Sequence, residues 1–156
     1  MATARLAFQP TLKGRALRLL SQREHSRSEL ERKLQSYEEA PGTLAQALDD
    51  LQARGFISEQ RVAESVLHRR ASRLGAARLR QELQEKGLAS ELINQTLAGL
   101  QDTELTRARE VWRRKFDTVP ATSQERARQT RFLLARGFSG EVVRRVLDSD
   151  PADDAA

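Results

Sequence analysis

The chain has 156 residues and a formal net charge of +5, so one domain or a short repeat array is the size to expect, with an anionic partner. It has no cysteine, which excludes disulfides and thiolate metal sites; no apolar run approaches a membrane span, and residues 1–10 lack a signal-peptide core. With 38% hydrophobic and 4% aromatic residues, the core must be lean and aliphatic, too poor in rings for a typical β-sandwich; the lack of cysteine fits a reducing cytoplasm, which is the expected setting.

Residues 1–10 read as a loose arm. Residues 12–21 form the first helix, with Leu12, Ala16, Leu19 and Leu20 on one side. After the turn Arg23-Glu24-His25, either Ser26 or Ser28 can cap a helix holding Leu30 and Leu34, and Ser26-Arg27-Ser28-Glu29 has the capping-box order. Pro41-Gly42 breaks the chain, Thr43 caps a third helix, and Arg54-Gly55 ends it. Ser58 opens a fourth helix with Val62, Ala63, Val66 and Leu67 inward. The stretch 73–100 is helix, break, helix: Leu79 and Leu83 share a face, Lys86-Gly87 stops the helix, and Leu92, Ile93, Leu97 and Leu100 line the next. A helix with Leu105, Ala108, Trp112 and Phe116 follows, then a loop at Pro120. Ser123 caps a helix with Ala127, Phe132, Leu133 and Leu134 inward. Val142, Val143, Val146 and Leu147 line the last helix, and the acidic stretch 148–156 is expected to be a disordered tail.

The elements repeat. Leu79, Leu83, Ile93, Leu97 and Leu100 fall, 49 residues earlier, on Leu30, Leu34, Leu44, Leu48 and Leu51. Moved forward by 50, Gly87-Leu88, Glu91, Ile93 and Leu97 fall on Gly137-Phe138, Glu141, Val143 and Leu147. A whole apolar set in one register is an internal repeat rather than coincidence of leucines. The expected fold is all-α: an elongated, curved array of three tandem three-helix repeats over 11–54, 55–101 and 102–147.

Basicity grows along this array. Residues 101–147 carry eleven basic against six acidic side chains, and the end of the chain is acidic. Arginine, whose planar fork suits phosphate and carboxylate, far outnumbers lysine. Arg69, Arg70, Arg73, Arg78 and Arg80 bracket a joint between two helices; Arg113, Arg114 and Lys115 end another helix; Arg126, Arg128, Arg131, Arg144 and Arg145 add to the third repeat. These are the candidate contacts for a partner protein or nucleic acid. Against that stands a solvated face ion-paired to Glu64, Glu82, Glu85 and Glu110. Trp112 and Phe138 sit at apolar positions and read as core.

Four motifs resemble those of the RecX regulatory proteins. Arg23-Glu24-His25-Ser26-Arg27-Ser28-Glu29-Leu30-Glu31-Arg32-Lys33-Leu34 is similar to that family's first-repeat motif, and Gly55-Phe56-Ile57-Ser58 to the opening of its second. Gly75 with Arg78-Leu79-Arg80-Gln81-Glu82-Leu83 and Lys86-Gly87-Leu88 matches the next, and Arg131-Phe132-Leu133 with Arg136-Gly137-Phe138-Ser139 the last. Departures cluster in the second repeat: Ser58-Glu59-Gln60 replaces an acidic pair, and Val62 and Val66 stand where aromatics are usual. The resemblance implies a monomeric modulator of RecA that lies in the groove of the RecA–DNA filament. It would inhibit ATP hydrolysis, coprotease action and strand exchange in DNA repair and the SOS response, with DNA contacted through the basic surface.

Catalysis is not expected. His25 and His68 are the only histidines and lie in different repeats, and His25 reads as a solvated turn residue. There is no phosphate-binding glycine loop, no His-Glu-x-x-His and no Gly-x-Ser-x-Gly, so neither metal nor cofactor is implied. Glu24, Glu29, Glu31, Glu38 and Glu39 interleave with Arg23, Arg27 and Arg32 as a charged helix surface does. Two other functions remain open: a DNA-binding hairpin reading bases through Asn94 and Gln95, and a non-catalytic helical adaptor.

Overall fold

A computed structural model describes residues 9–148, and among them there are nine α-helices and no strand. In chain order these are α1 Leu12–Gln22, α2 Arg27–Leu34, α3 Thr43–Ala53, α4 Glu59–Arg70, α5 Ala76–Glu85, α6 Ser90–Ala98, α7 Glu104–Lys115, α8 Ser123–Ala135 and α9 Gly140–Asp148. They form three successive three-helix repeats. The expected arm and tail lie outside the described residues except at Gln9, Pro10 and Asp148, and Asp148 is the last residue of α9 rather than part of a tail. The chain divides into two compact units, one up to Val62 and one from Ala63, with the boundary inside α4.

The first unit packs Ala16, Leu30, Leu34, Leu44, Leu48, Leu51 and Ile57 into one cluster, flanked by Leu12, Leu19 and Leu20. Its helix ends are chemically specified. Thr11 accepts the Gly14 amide at the start of α1 and Ser26 the Glu29 amide at the start of α2. Thr43, the expected cap of α3, is instead its first residue. Gly42 takes the cap position at φ 87°, the Thr43 hydroxyl donates to Ala40 O at 2.7 Å, and Glu38 accepts the Leu44 amide at 3.0 Å. The α3 end is a Schellman cap: Phe56 N donates to Leu51 O and Gly55 N to Gln52 O, with Gly55 left-handed at φ 83°. The same two bonds recur at Gly87-Leu88 after α5 and Gly137-Phe138 after α8, so the repeated Gly-apolar dipeptide is a repeated stop signal.

His25 is not a solvated turn residue; it is 1% exposed. Its Nδ1 lies 3.0 Å from Arg23 O and its Nε2 3.4 Å from the Lys33 ammonium, which only donates. The ring is therefore neutral, with its proton on Nδ1. Burial lowers its pKa, and Arg23 and Lys33 add to that, against the raising effects of the Arg23 backbone bond and Glu29.

In the second unit Ala108, Val111, Leu133, Phe138, Val143, Val146 and Leu147 form a cluster flanked by Leu105, Trp112, Phe132 and Val142. Two expected core residues of α8, Ala127 and Leu134, are exposed. The buried stripe runs through Gln129 and Leu133, one turn apart; Leu134, one residue past Leu133, points about 100° aside, and Ala127, two residues before Gln129, about 200° away. Gln129 is a buried polar residue hydrogen-bonded through both atoms of its amide: Trp112 Nε1 donates to its Oε1 at 2.8 Å, and its Nε2 donates to Thr118 O at 3.2 Å. The cap of α8 is Thr122, not Ser123. Thr122 accepts the Glu125 amide at 3.1 Å, and Glu125 reaches back to the Ala121 amide at 2.8 Å.

Candidate functional site

Repeats two and three meet through their backbones. Gly75 N donates to Arg136 O at 2.8 Å and Ala77 N to Gly137 O at 3.2 Å, so the first turn of α5 is hydrogen-bonded to the stop turn of α8. Two glycines make this approach possible. A Cβ on Gly75 would sit 2.3 Å from Gly137 O, and one on Gly137 would sit 2.4 Å from Arg78 Cβ. Helix α7 adds two side chains one turn apart. Glu104 accepts the Ala76 amide at 3.3 Å. Arg107 donates to Ala71 O at 2.8 Å, Leu74 O at 2.6 Å and Leu100 O at 3.3 Å. Burial pushes the Arg107 pKa down, opposed by Glu104, and a guanidinium starts high enough to remain charged. Arg107 thus serves the structure, satisfying carbonyls left open at the ends of α4 and α6.

Beside this junction lies a cavity of about 340 Å³ lined by Arg73, Arg114, Lys115 and Arg136 around Val111 and Phe132. No acidic residue lines it, and among the described residues none of the four cations has an ion-pair partner. The Arg136 guanidinium lies over the Phe132 ring at 4.9 Å from its centroid and the Lys115 ammonium at 5.6 Å. Phe132 is braced edge-on by Phe116 at 5.3 Å. Three helix C-termini, those of α4, α7 and α8, end close in sequence to these cations. Each carries roughly half a negative charge, about 1.5 together, which offsets less than half of four full cations. The cavity therefore keeps a positive field.

The other candidates divide. Arg70 is paired to Glu82 at 2.7 Å, Arg113 to Glu110 at 3.1 Å and Arg126 to Asp148 at 2.7 Å. Arg80 donates to Asn94 Oδ1 at 2.8 Å, which also ties up one of the two residues that a base-reading hairpin would use. Arg69 bonds Ser65 O of its own helix, Arg128 lies over the Phe116 ring at 5.8 Å, and Arg78 packs its backbone against Gly137. Arg131, Arg144 and Arg145 are exposed and do not line the cavity. So the structure brings Arg73, Arg114 and Lys115 together from two repeats and adds Arg136, which sequence reasoning passed over as part of a turn. Its position immediately before a stop-signal glycine was the available clue. Among the described residues no group of three or more His, Asp or Glu side chains is placed to hold a metal ion, and no helix is long and apolar enough to cross a membrane.

The fold and this junction define the class: an all-α protein of tandem three-helix repeats with a cationic cavity where two repeats meet. Its sequence matches the three domains of one family in order: "RecX, first three-helix domain" over residues 13–51, the second over 58–97 and the third over 102–147. The chain belongs to the RecX family. It is 56% identical over 139 residues to Regulatory protein RecX of Leptothrix cholodnii, spanning 89% of this chain and 88% of that one. It is 48% identical over 148 residues to its namesake in Ralstonia nicotianae, spanning 94% and 93%. The crystal structure of RecX from Lactobacillus salivarius shares the fold at a TM-score of 0.73 and 20% identity, covering 88% of this chain and 94% of that one.

Proposed function

We propose that this protein binds RecA and RecA–DNA filaments and modulates recombinase, ATPase and coprotease activity, mainly by inhibition, in cytoplasmic DNA repair and the SOS response. It acts by binding and carries out no chemistry of its own. The observation that carries the reading is the unpaired cationic junction of the second unit, in a family whose relatives are named regulatory proteins. A filament groove presents DNA phosphates and protein carboxylates together. Arginine forks suit both, and Arg73, Arg114 and Arg136 are free of competing internal carboxylates. Reversing such charges weakens association strongly because like charges across an interface cost several kcal/mol.

The test is RecA ATP hydrolysis on single-stranded DNA with added wild type, Arg114→Glu/Arg136→Glu, or the control Arg18→Glu/Arg54→Glu, which has the same charge change in the first unit. The junction variant should lose inhibition while keeping wild-type helicity, and the control should retain it. Equal inhibition by all three would place the contact elsewhere.

A further inference from the structure

We propose that the cavity at the repeat junction is a seat for one nucleotide of single-stranded nucleic acid, its phosphate held by Arg73, Arg114 and Lys115 and its base laid against Phe132 and Arg136. This rests on the reading that the junction meets a polyanion, and deepens it by naming what the cavity accepts. The four cations and the apolar wall of Val111 and Phe132 line one space. A carboxylate side chain offers charge but no planar apolar face, so it leaves that wall wet. A nucleotide offers both, and every base has a face to stack whatever its identity. The Arg136 guanidinium stands over the Phe132 ring, 4.9 Å from its centroid, so the base meets ring and guanidinium together, and the edge-on contact with Phe116 holds the ring in place.

Size separates single strand from duplex. About 340 Å³ is at the lower end of small-ligand cavities and admits a single nucleotide unit. In a duplex the bases are stacked inside, and only the sugar-phosphate ridge could reach these cations. The seat is preorganised, because the backbone bonds from Gly75 and Ala77 fix the loop carrying Arg73 against the turn carrying Arg136. Little ordering is then left to do on binding.

The experiment measures fluorescence anisotropy of the full chain, without RecA, against four probes of equal charge. These are a short oligothymidylate, the same strand made abasic, a duplex, and a poly-glutamate peptide. Stacking one base should make the oligothymidylate bind on the order of tenfold tighter than the abasic strand. Phe132→Leu, which keeps an apolar side chain at the edge of the core, should erase that difference. Arg73→Gln/Arg114→Gln, both exposed and unpaired, should weaken oligothymidylate and abasic strand together and lower the salt dependence without moving the thermal melt. Equal binding of thymidylate and abasic strand overturns the proposal, as does a duplex or poly-glutamate bound as tightly as the thymidylate. Filament inhibition that persists beside such a failure leaves the RecA reading standing and removes only the nucleotide seat.

Discussion

Gly75→Ala isolates the contact between repeats two and three. Gly75 sits at φ −81° and ψ 171°, ordinary extended backbone that alanine adopts freely. In open space the change would stabilise by roughly 0.4–1 kcal/mol, by restricting the unfolded chain. Here the added methyl would lie 2.3 Å from Gly137 O, 2.4 Å from Gly137 C and 2.5 Å from Phe138 N, all backbone atoms that no rotamer change can clear. Relief requires the α5 start to move off the α8 turn. That costs two backbone hydrogen bonds, about 1 kcal/mol each net, or leaves an overpacked contact at about 1–3 kcal/mol. Less the unfolded-state gain of roughly 0.4–1 kcal/mol, the expected loss is about 1–2 kcal/mol, read as a lower midpoint in urea melts followed by circular dichroism. Gly99→Ala and Gly140→Ala, where an added Cβ meets nothing closer than 3.9 Å, serve as controls. Because Arg73 and Arg136 flank the broken contact, oligothymidylate and filament binding should fall in parallel. A Gly75→Ala protein as stable as its controls, with the Ala77 amide still protected from hydrogen exchange, would refute the docking described above.

Leu83 and Leu133 are both fully buried and both supply the carbonyl of their Schellman caps, so Leu83→Ala and Leu133→Ala should each cost about 2–4 kcal/mol in denaturant melts; a cost below about 0.5 kcal/mol for either would break the repeat register. His25 has a lowered folded-state pKa, so the unfolded chain binds more protons near its ordinary value of about 6.5. The stability this neutral ring contributes is present above that value and is lost as pH falls through the folded one. Urea midpoints should therefore drop from pH 7.5 to 5.5 more steeply in wild type than in His25→Asn, and parallel profiles would contradict the neutral buried ring.

Much of the fold is readable from local chemistry. The aliphatic stripes through Leu30 and Leu34, Leu79 and Leu83, and Val143 and Leu147 face the core as their spacing requires, and each Gly-apolar pair at Gly55, Gly87 and Gly137 stops a helix. Caps slip by one residue where neighbours compete: Gly42 and Thr122 take positions that Thr43 and Ser123 were equally suited to fill. His25 reads as solvated because its two partners are a carbonyl two residues back and an ammonium one α2 length away, which composition does not display. The site is less legible for the same reason. Arg126 and Asp148 are 22 residues apart, and their pairing takes one cation off the surface, whereas Arg73 and Arg136 converge only because Gly75 and Gly137 let two backbones touch. A charge pattern counts cations; only packing decides which remain free.

The central proposal is that this chain binds RecA assembled on DNA more tightly than it binds DNA alone. The most direct measurement compares its affinity for bare single-stranded DNA, duplex DNA, free RecA and RecA filaments, at two salt concentrations. The account predicts the tightest binding to filaments, weakened by salt and by Arg114→Glu/Arg136→Glu. Binding to bare DNA as tight as to filaments would contradict it and make the protein a DNA-binding hairpin protein, and binding to none of the four would leave it an adaptor for some other partner.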